Sequence, residues 1–440
     1  MPFLLNPMNF YSTRDKQHAH PTTLAQAVIK GLAPDSGLYM PDHIPGLPAK
    51  FFEEIETLPF EEINFRVAHN LVGDAVPTAE LRRITSEALN FDLPIVEIEE
   101  DIFSMELFHG PTMAFKDVGA RFMALLLGYF VRDSVQTLKV IVATSGDTGS
   151  AVAAGFFNVP GIEVFILYPK GMVSPLQEKQ LTTWGGNITA IEVNGTFDDC
   201  QKMAKQALSD GSLNTSNQFT SANSINIARL IPQSFYYFHA FKALKKRKKE
   251  LVVSVPSGNF GNLTGGLLAK KMGLPIHHFL AATNDNDVVP LFLETGAFTP
   301  RPSVQTISNA MDVGNPSNFE RMIHLYGADS EKYGSLLHGY RFSDKETRDA
   351  MRKVYDATGY VLDPHGAVGY LGLKRDFQSN PGLFTGVLLE TAHPVKFMNV
   401  VESTLGFSPE IPEKMQVFAR KEKHALSCEN DFEALRALIQ

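Results

Sequence analysis

From about residue 95 onward, short runs rich in apolar and β-branched residues, several of them continuously apolar, alternate with segments of helical periodicity. Val140–Ala143, Val164–Tyr168, Ile188–Val193, Leu251–Val255, Phe279–Ala282 and Gly386–Glu390 are the clearest runs. A strand with one wet face alternates apolar and polar residues, whereas a run that is apolar throughout must be covered on both sides. Parallel strands flanked by helices meet that demand, so the chain reads as α/β, with two parallel-sheet domains carrying helices on both faces. Ligands of such sheets bind in the crevice outside the carboxyl ends of the strands. The N-terminal 95 residues differ. Thr23 offers a helix cap, Ala33 to Pro41 is rich in turn formers, and Phe51–Leu58 and Leu81–Leu89 read as amphipathic helices.

At 440 residues the chain exceeds what one core organises, so two or three domains are expected. A net charge of −8 disfavours a nucleic-acid partner. The basic run Lys245–Lys249 follows the helical segment Phe235–Leu244, where cations complement a helix C-terminus, and it reads as a solvated helix end. The longest apolar stretch, Phe122–Val131, is about half of the roughly 20 residues that span a bilayer, so it reads as a buried helix and no membrane partner is expected. Cys200 and Cys428 cannot build a disulfide framework, and the N-terminus has no signal-peptide pattern. A reduced, cytoplasmic setting fits both.

Two glycine-rich loops follow apolar runs and precede helical patterns: Thr144-Ser145-Gly146-Asp147-Thr148-Gly149 and Ser257-Gly258-Asn259-Phe260-Gly261-Asn262. That context aims backbone N–H groups and a helix dipole at an anion. A Cβ on Gly261 is expected to intrude where the backbone approaches phosphate. The second loop is neither a Walker loop nor a dinucleotide fingerprint, and taken alone it could be a plain strand-to-helix turn. Lys116 sits among Ala114, Phe115 and Val118, a more apolar setting than a surface lysine has, with Asp117 as an ordinary charge partner in the alternative reading. Desolvation would lower its pKa and make it a nucleophile and base. One reactive amine and two anion cradles indicate an enzyme that handles phosphate and carboxylate through an imine.

The strings GPTMAFKD, ATSGDTGSA, PKGMVSPLQEKQLTTWGGNI, SANSINIARLIPQ, SVPSGNFGNLTGG, ATNDNDVVP, SNAMDVGNPSNFER and TAHPVKF resemble the longer threonine synthases of many bacteria and of fungi. So does the start at Met8-Asn9-Phe10, which makes residues 1–7 an extension or alternative start. The resemblance implies a pyridoxal-phosphate enzyme of the tryptophan-synthase-β-like fold (fold type II). It would convert O-phospho-L-homoserine and water to L-threonine and phosphate by γ-elimination and β-addition of water, the last step of threonine biosynthesis. By the same resemblance, Lys116 is the catalytic lysine that holds the cofactor. Gly258, Asn259, Phe260, Gly261 and Asn262 cradle the cofactor's phosphate, and Thr391 faces its pyridine nitrogen. Ser145, Asp147 and Thr148 form the loop that receives the substrate carboxylate. Asn223, Ser224 and Arg229 grip the substrate phosphate. The implied division is a mainly helical domain over 1–95, a larger cofactor-binding domain over 96–110 and 223–440, and a smaller mobile domain over 111–222. A monomer is expected, with a dimer as the alternative.

Much of the wider fold family carries asparagine where this chain has Asp147. An ionised aspartate beside a substrate carboxylate would repel it by roughly 1–4 kcal/mol, so backbone N–H groups and Thr148 are the better carboxylate ligands. His109, His365 and His393 lie near these motifs, but without metal-site spacing they read as hydrogen-bonded structural residues, and no metal is expected. The competing function is a related serine/threonine dehydratase or amino-acid phospholyase giving a 2-oxo acid. The Asn223, Ser224 and Arg229 set argues against a dehydratase, which needs no second phosphate grip. A catalytically silent regulator would have lost Lys116.

Overall fold

The structure is a computed structural model and describes residues 8–213, 218–379 and 381–440; the reading of residues 1–7 lies outside these. In chain order the strands are β1 (Phe10–Ser12), β2 (Tyr39–Pro41), β3 (Ile95–Glu99), β4 (Ile102–Glu106), β5 (Leu138–Ala143), β6 (Ile162–Pro169) and β7 (Ile188–Asn194). They continue as β8 (Gln218–Ser221), β9 (Glu250–Pro256), β10 (Ile276–Thr283), β11 (Leu337–Arg341), β12 (Phe384–Glu390) and β13 (Leu426–Glu429).

The larger sheet has the order β11-β10-β9-β12-β4-β3 and is parallel except for β3, which turns back against β4. The smaller has the order β13-β7-β6-β5-β8 and is parallel throughout. Every residue of β5 and β12 is buried, as continuous apolar runs require. Among the described residues no helix is long and apolar enough to cross a membrane.

The C-terminal residues depart from the expected division. Strand β13 pairs with β7 in the smaller sheet, with Cys428 opposite Val193. The last helix, Phe432–Ile439, buries Leu435 and Ile439 in that sheet's core, and Lys139 Nζ donates to the Ile439 carbonyl at 2.8 Å. Residues 426–440 therefore belong with the smaller sheet. The strand is a mostly exposed four-residue edge, too short to leave a periodic signal.

The N-terminal segment adds the pair β1–β2 and the helices Phe60–Val72 and Thr78–Ala88. Its Phe10, Val28 and Leu71 share one buried cluster with Phe235 and Val253. The basic run is more committed than a solvated helix end. Lys245 Nζ donates to the carbonyls of Phe52 and Glu53, Arg247 pairs with Glu97, and Lys249 pairs with Asp101.

Candidate active site

Lys116 opens the helix Lys116–Val131. The segment before it is stitched to the loop that follows β12. The Phe115 N–H donates to the Thr391 carbonyl at 2.8 Å, the His393 N–H donates to Met113 at 3.1 Å, and Ala114 bridges Ala392. Backbone bonds thus place the lysine and Thr391 side by side. Burial pulls the Lys116 pKa below its usual value, Lys396 and Arg229 push the same way, and Asp147 opposes them. The next residue is not its partner. Asp117 accepts from the Thr112 N–H at 2.9 Å and from its hydroxyl, and neighbours at i and i+1 on a helix do not face each other.

The carboxylate that faces Lys116 is Asp147, with Oδ2 3.9 Å from Nζ. Asp147 starts the helix Asp147–Phe156 after Gly146, whose φ of 140° suits only glycine. Its Oδ1 accepts from Lys396 Nζ at 2.7 Å and from Gln177 Nε2 at 2.8 Å. Burial alone would raise this carboxyl's pKa, but the charges of Lys396 and Lys116 hold it well below the usual aspartate range. Lys396 is fully buried at its side chain and donates also to the Thr112 carbonyl at 2.8 Å. The feared repulsion is thereby met inside the protein, because Asp147 is neutralised from behind. Sequence reasoning assigned no role to Lys396 or Gln177, although both lie in strings that carried the resemblance. A lysine in the otherwise apolar Pro394-Val395-Lys396-Phe397 was the available signal.

The second loop connects β9 to the helix Gly261–Lys271, with Phe260 in the left-handed region at φ 58°. A Cβ on Gly258 would lie 2.7 Å from the Ala310 carbonyl oxygen and 2.8 Å from the Met311 Cα, both backbone. On Gly261 it would meet nothing nearer than 3.5 Å. The steric demand within the protein therefore falls on Gly258 rather than Gly261. Asn259 is spent on the loop itself, donating to Ser224 Oγ at 2.5 Å and accepting from the Ser317 N–H at 2.6 Å. Asn262 Oδ1 accepts from the Tyr237 hydroxyl at 3.0 Å, while its Nδ2 is buried without a partner.

Both loops, Lys116 and Thr391 line one cavity of about 1130 Å³ at the carboxyl ends of the two sheets. Ser145, Thr148, Asn223, Ser224, Arg229 and His365 line it too. Sequence profiles match along nearly the whole chain: a threonine synthase N terminus over residues 9–89, a pyridoxal-phosphate dependent enzyme over 92–384, and a threonine synthase C-terminal region over 366–439. The threonine synthase of Haemophilus influenzae is 43% identical over 433 residues, covering 98% of this chain and 99% of the relative. The chain belongs to the threonine synthase family. The crystal structure of the Escherichia coli threonine synthase superposes with a TM-score of 0.91 at 42% identity, covering 98% and 99% of the two chains. A threonine synthase from Brucella melitensis, described as bound to pyridoxal phosphate, superposes with a TM-score of 0.91 at 32% identity and 98% coverage of each.

The residues of this threonine synthase family member fit that cofactor. A largely buried amine of lowered pKa (18% exposed at its side chain), an unpaired Asn262 amide and a helix N-terminus face one cavity. The Asn223 side chain is engaged elsewhere, donating to the Ala143 carbonyl at 2.8 Å and fixing the end of β5 beside the Ser145 loop. Arg229 is buried and donates from Nη1 to the Ala222 carbonyl at 2.7 Å, while its Nε has no partner. Burial lowers its pKa to about 10, so it stays charged at neutral pH. His109 lies 2.7 Å from Glu106, and His365 Nδ1 lies 2.6 Å from Asp363. His393 accepts from the Val395 N–H, and burial pushes its pKa down to about 4.

Proposed function

We propose that this chain converts O-phospho-L-homoserine and water to L-threonine and phosphate, with pyridoxal phosphate held by Lys116. The observation that supports the reading is the largely buried Lys116 amine, facing the neutralised Asp147 beside the Thr391 loop in a cavity that both glycine-rich loops line. The bound cofactor supplies a sink for the negative charge that develops at the substrate's Cα. Lys116 removes the Cα proton and serves the neighbouring carbons in turn. Proton loss at Cβ expels phosphate from Cγ, Cγ is then protonated, and water adds at Cβ. Transfers at three adjacent carbons suit one mobile base whose pKa has been lowered by burial.

Ser145, Thr148 and the N–H groups of Asp147 and Thr148 receive the substrate carboxylate, the Gly149 N–H being given to Thr144 Oγ1 at 2.8 Å. Asp147 itself serves the lysines. Arg229, with Ser224 and Asn223 behind it, meets the leaving phosphate. Thr391, which lines the cavity, would offer its hydroxyl to the pyridine nitrogen and, unlike an aspartate, could not hold a proton there. The reading extends to a monomer in the cytoplasm, where the two buried free thiols, Cys200 and Cys428, stay reduced. Incubating the holoenzyme with O-phospho-L-homoserine should release phosphate and L-threonine in equal amounts. Phosphate accompanied by 2-oxobutyrate, or no phosphate release, would overturn the assignment.

A further inference from the structure

At the opposite end of the larger sheet from the cavity, three residues from distant segments meet. His278 lies near the start of β10, His338 near the start of β11, and Asp376 in the last turn of the helix Pro364–Phe377. That helix begins beside the cavity at His365 and carries Asp376 about 16 Å away from it. We propose that His278, His338 and Asp376 form a binding site for one divalent transition-metal ion, Zn²⁺ foremost.

The donor atoms of the three side chains lie within 4.8 Å of one another. His278 Nε2 is 2.9 Å from Asp376 Oδ2, and His338 Nδ1 is 2.7 Å from Asp376 Oδ1. Ligands bonded to Zn²⁺ at about 2.0–2.2 Å sit roughly 3 Å apart; both imidazole–carboxylate separations already match this, and an ion would draw the widest pair of donors, up to 4.8 Å apart, closer together. Two imidazoles and a carboxylate select zinc and its first-row neighbours over magnesium or calcium.

The surroundings orient the set as the supporting groups of metal sites do. The Tyr340 hydroxyl donates to Asp376 Oδ1 at 3.0 Å, fixing the carboxylate. His277 Nδ1 lies 2.6 Å from His278 Nδ1, so those two nitrogens share one proton. Glu250 lies 3.3 Å from His277 Nε2 and holds that ring from its far side. His278 is thus held at Nδ1 with its Nε2 turned toward the Asp376 carboxylate. His278 and Asp376 are buried, whereas the His338 side chain is 36% exposed, which leaves a route for the ion and an open position for water. A bound ion would tie the two outermost strands to the helix end, away from the reacting atoms.

The test uses untagged holoenzyme, stripped with a chelator, equilibrated with zinc chloride, desalted and analysed by atomic absorption. One zinc per chain is expected. His338→Ala, at a half-exposed position, should keep its fold, its cofactor absorbance and its turnover, yet bind zinc at least about tenfold more weakly in competition with a chromophoric chelator. Asp376→Asn should lose stoichiometric zinc as well. A wild-type protein that retains no zinc, or a His338→Ala protein that binds it as well as wild type, would reduce the trio to hydrogen-bonded side chains and overturn the proposal.

Discussion

Replacing Lys396 with Met tests the electrostatic arrangement around the catalytic lysine most directly. The substitution keeps the length of the side chain and deletes a charge that has no solvent exposure. At an effective dielectric of about 20, unit charges attract by about 6 kcal/mol across the 2.7 Å of the Lys396–Asp147 pair and by about 4 kcal/mol across the 3.9 Å to Lys116. Removing one member of a buried pair costs about 3–5 kcal/mol, because the survivor keeps its desolvation penalty. Lys116 can take over part of the compensation, so the loss should fall near about 3 kcal/mol by urea denaturation of the holoenzyme at pH 7. Asp147 stays ionised in the wild type, its pKa held below the unfolded value. Its contribution is therefore present above about pH 4 and fades as pH falls further, so the gap between variant and wild type should narrow there. The double variant Lys396→Met/Asp147→Asn removes both charges and should recover most of the loss. A single variant within about 1 kcal/mol of wild type, or a double variant no more stable than the single one, would refute the arrangement.

Four further outcomes follow from the site. Lys116→Ala should abolish turnover and the visible absorbance of the bound cofactor while leaving the far-ultraviolet spectrum intact, since covalent and base roles fall on one residue. Asp147→Asn removes the charge that raises the Lys116 pKa, so the acid limb of the pH–rate profile should move to lower pH; movement to higher pH would reverse the assigned roles. Gly258→Val should destabilise by about 1–3 kcal/mol and release cofactor on dialysis, because its Cβ meets backbone at 2.7 Å, whereas Gly261→Ala should retain cofactor. Arg229→Lys should raise KM or lower kcat for O-phospho-L-homoserine with unchanged cofactor absorbance, and should spare slow deamination of L-serine. If both activities fall together, Arg229 is structural.

The strands clearest in the sequence were mostly those buried on both faces, although Ile188–Val193 was legible with Thr189 and Glu192 half-buried. Val140–Ala143 and Gly386–Glu390 are apolar at every position but the last glutamate, and they lie in β5 and β12, inside the sheets. The edge strands β11 and β13 are partly exposed and short, so their composition resembles that of loops. Lys116, the glycine loops and Thr391 could be located by local pattern and resemblance, and they converge on one cavity. The partnership of Lys396 with Asp147 could not, because a buried ion pair between distant segments leaves no periodicity in either. The same holds for His278, His338 and Asp376, each unremarkable in its own segment. Asp117 settles the alternative reading: adjacency in sequence offered a partner for Lys116 that helix geometry turns away toward Thr112.

The pairing of β13 with β7 has a consequence for how the chain is made. Asn194 and Glu429 touch across 235 residues, and Lys139 reaches a carbonyl 300 residues ahead. The larger sheet has the same property, since its inner strand β12 separates β4 from β9 yet lies near the end of the chain. While the polypeptide is being synthesised from its N-terminus, each sheet waits with an open edge or an open middle for a strand not yet made. Such non-local pairings pay loop-closure entropy late and slow folding. The order of domains along the chain is thus no guide to an order of folding. The larger sheet is complete once β12 has been made and the smaller only when β13 follows it, and the strand edges exposed in the interval are the ones most open to mispairing.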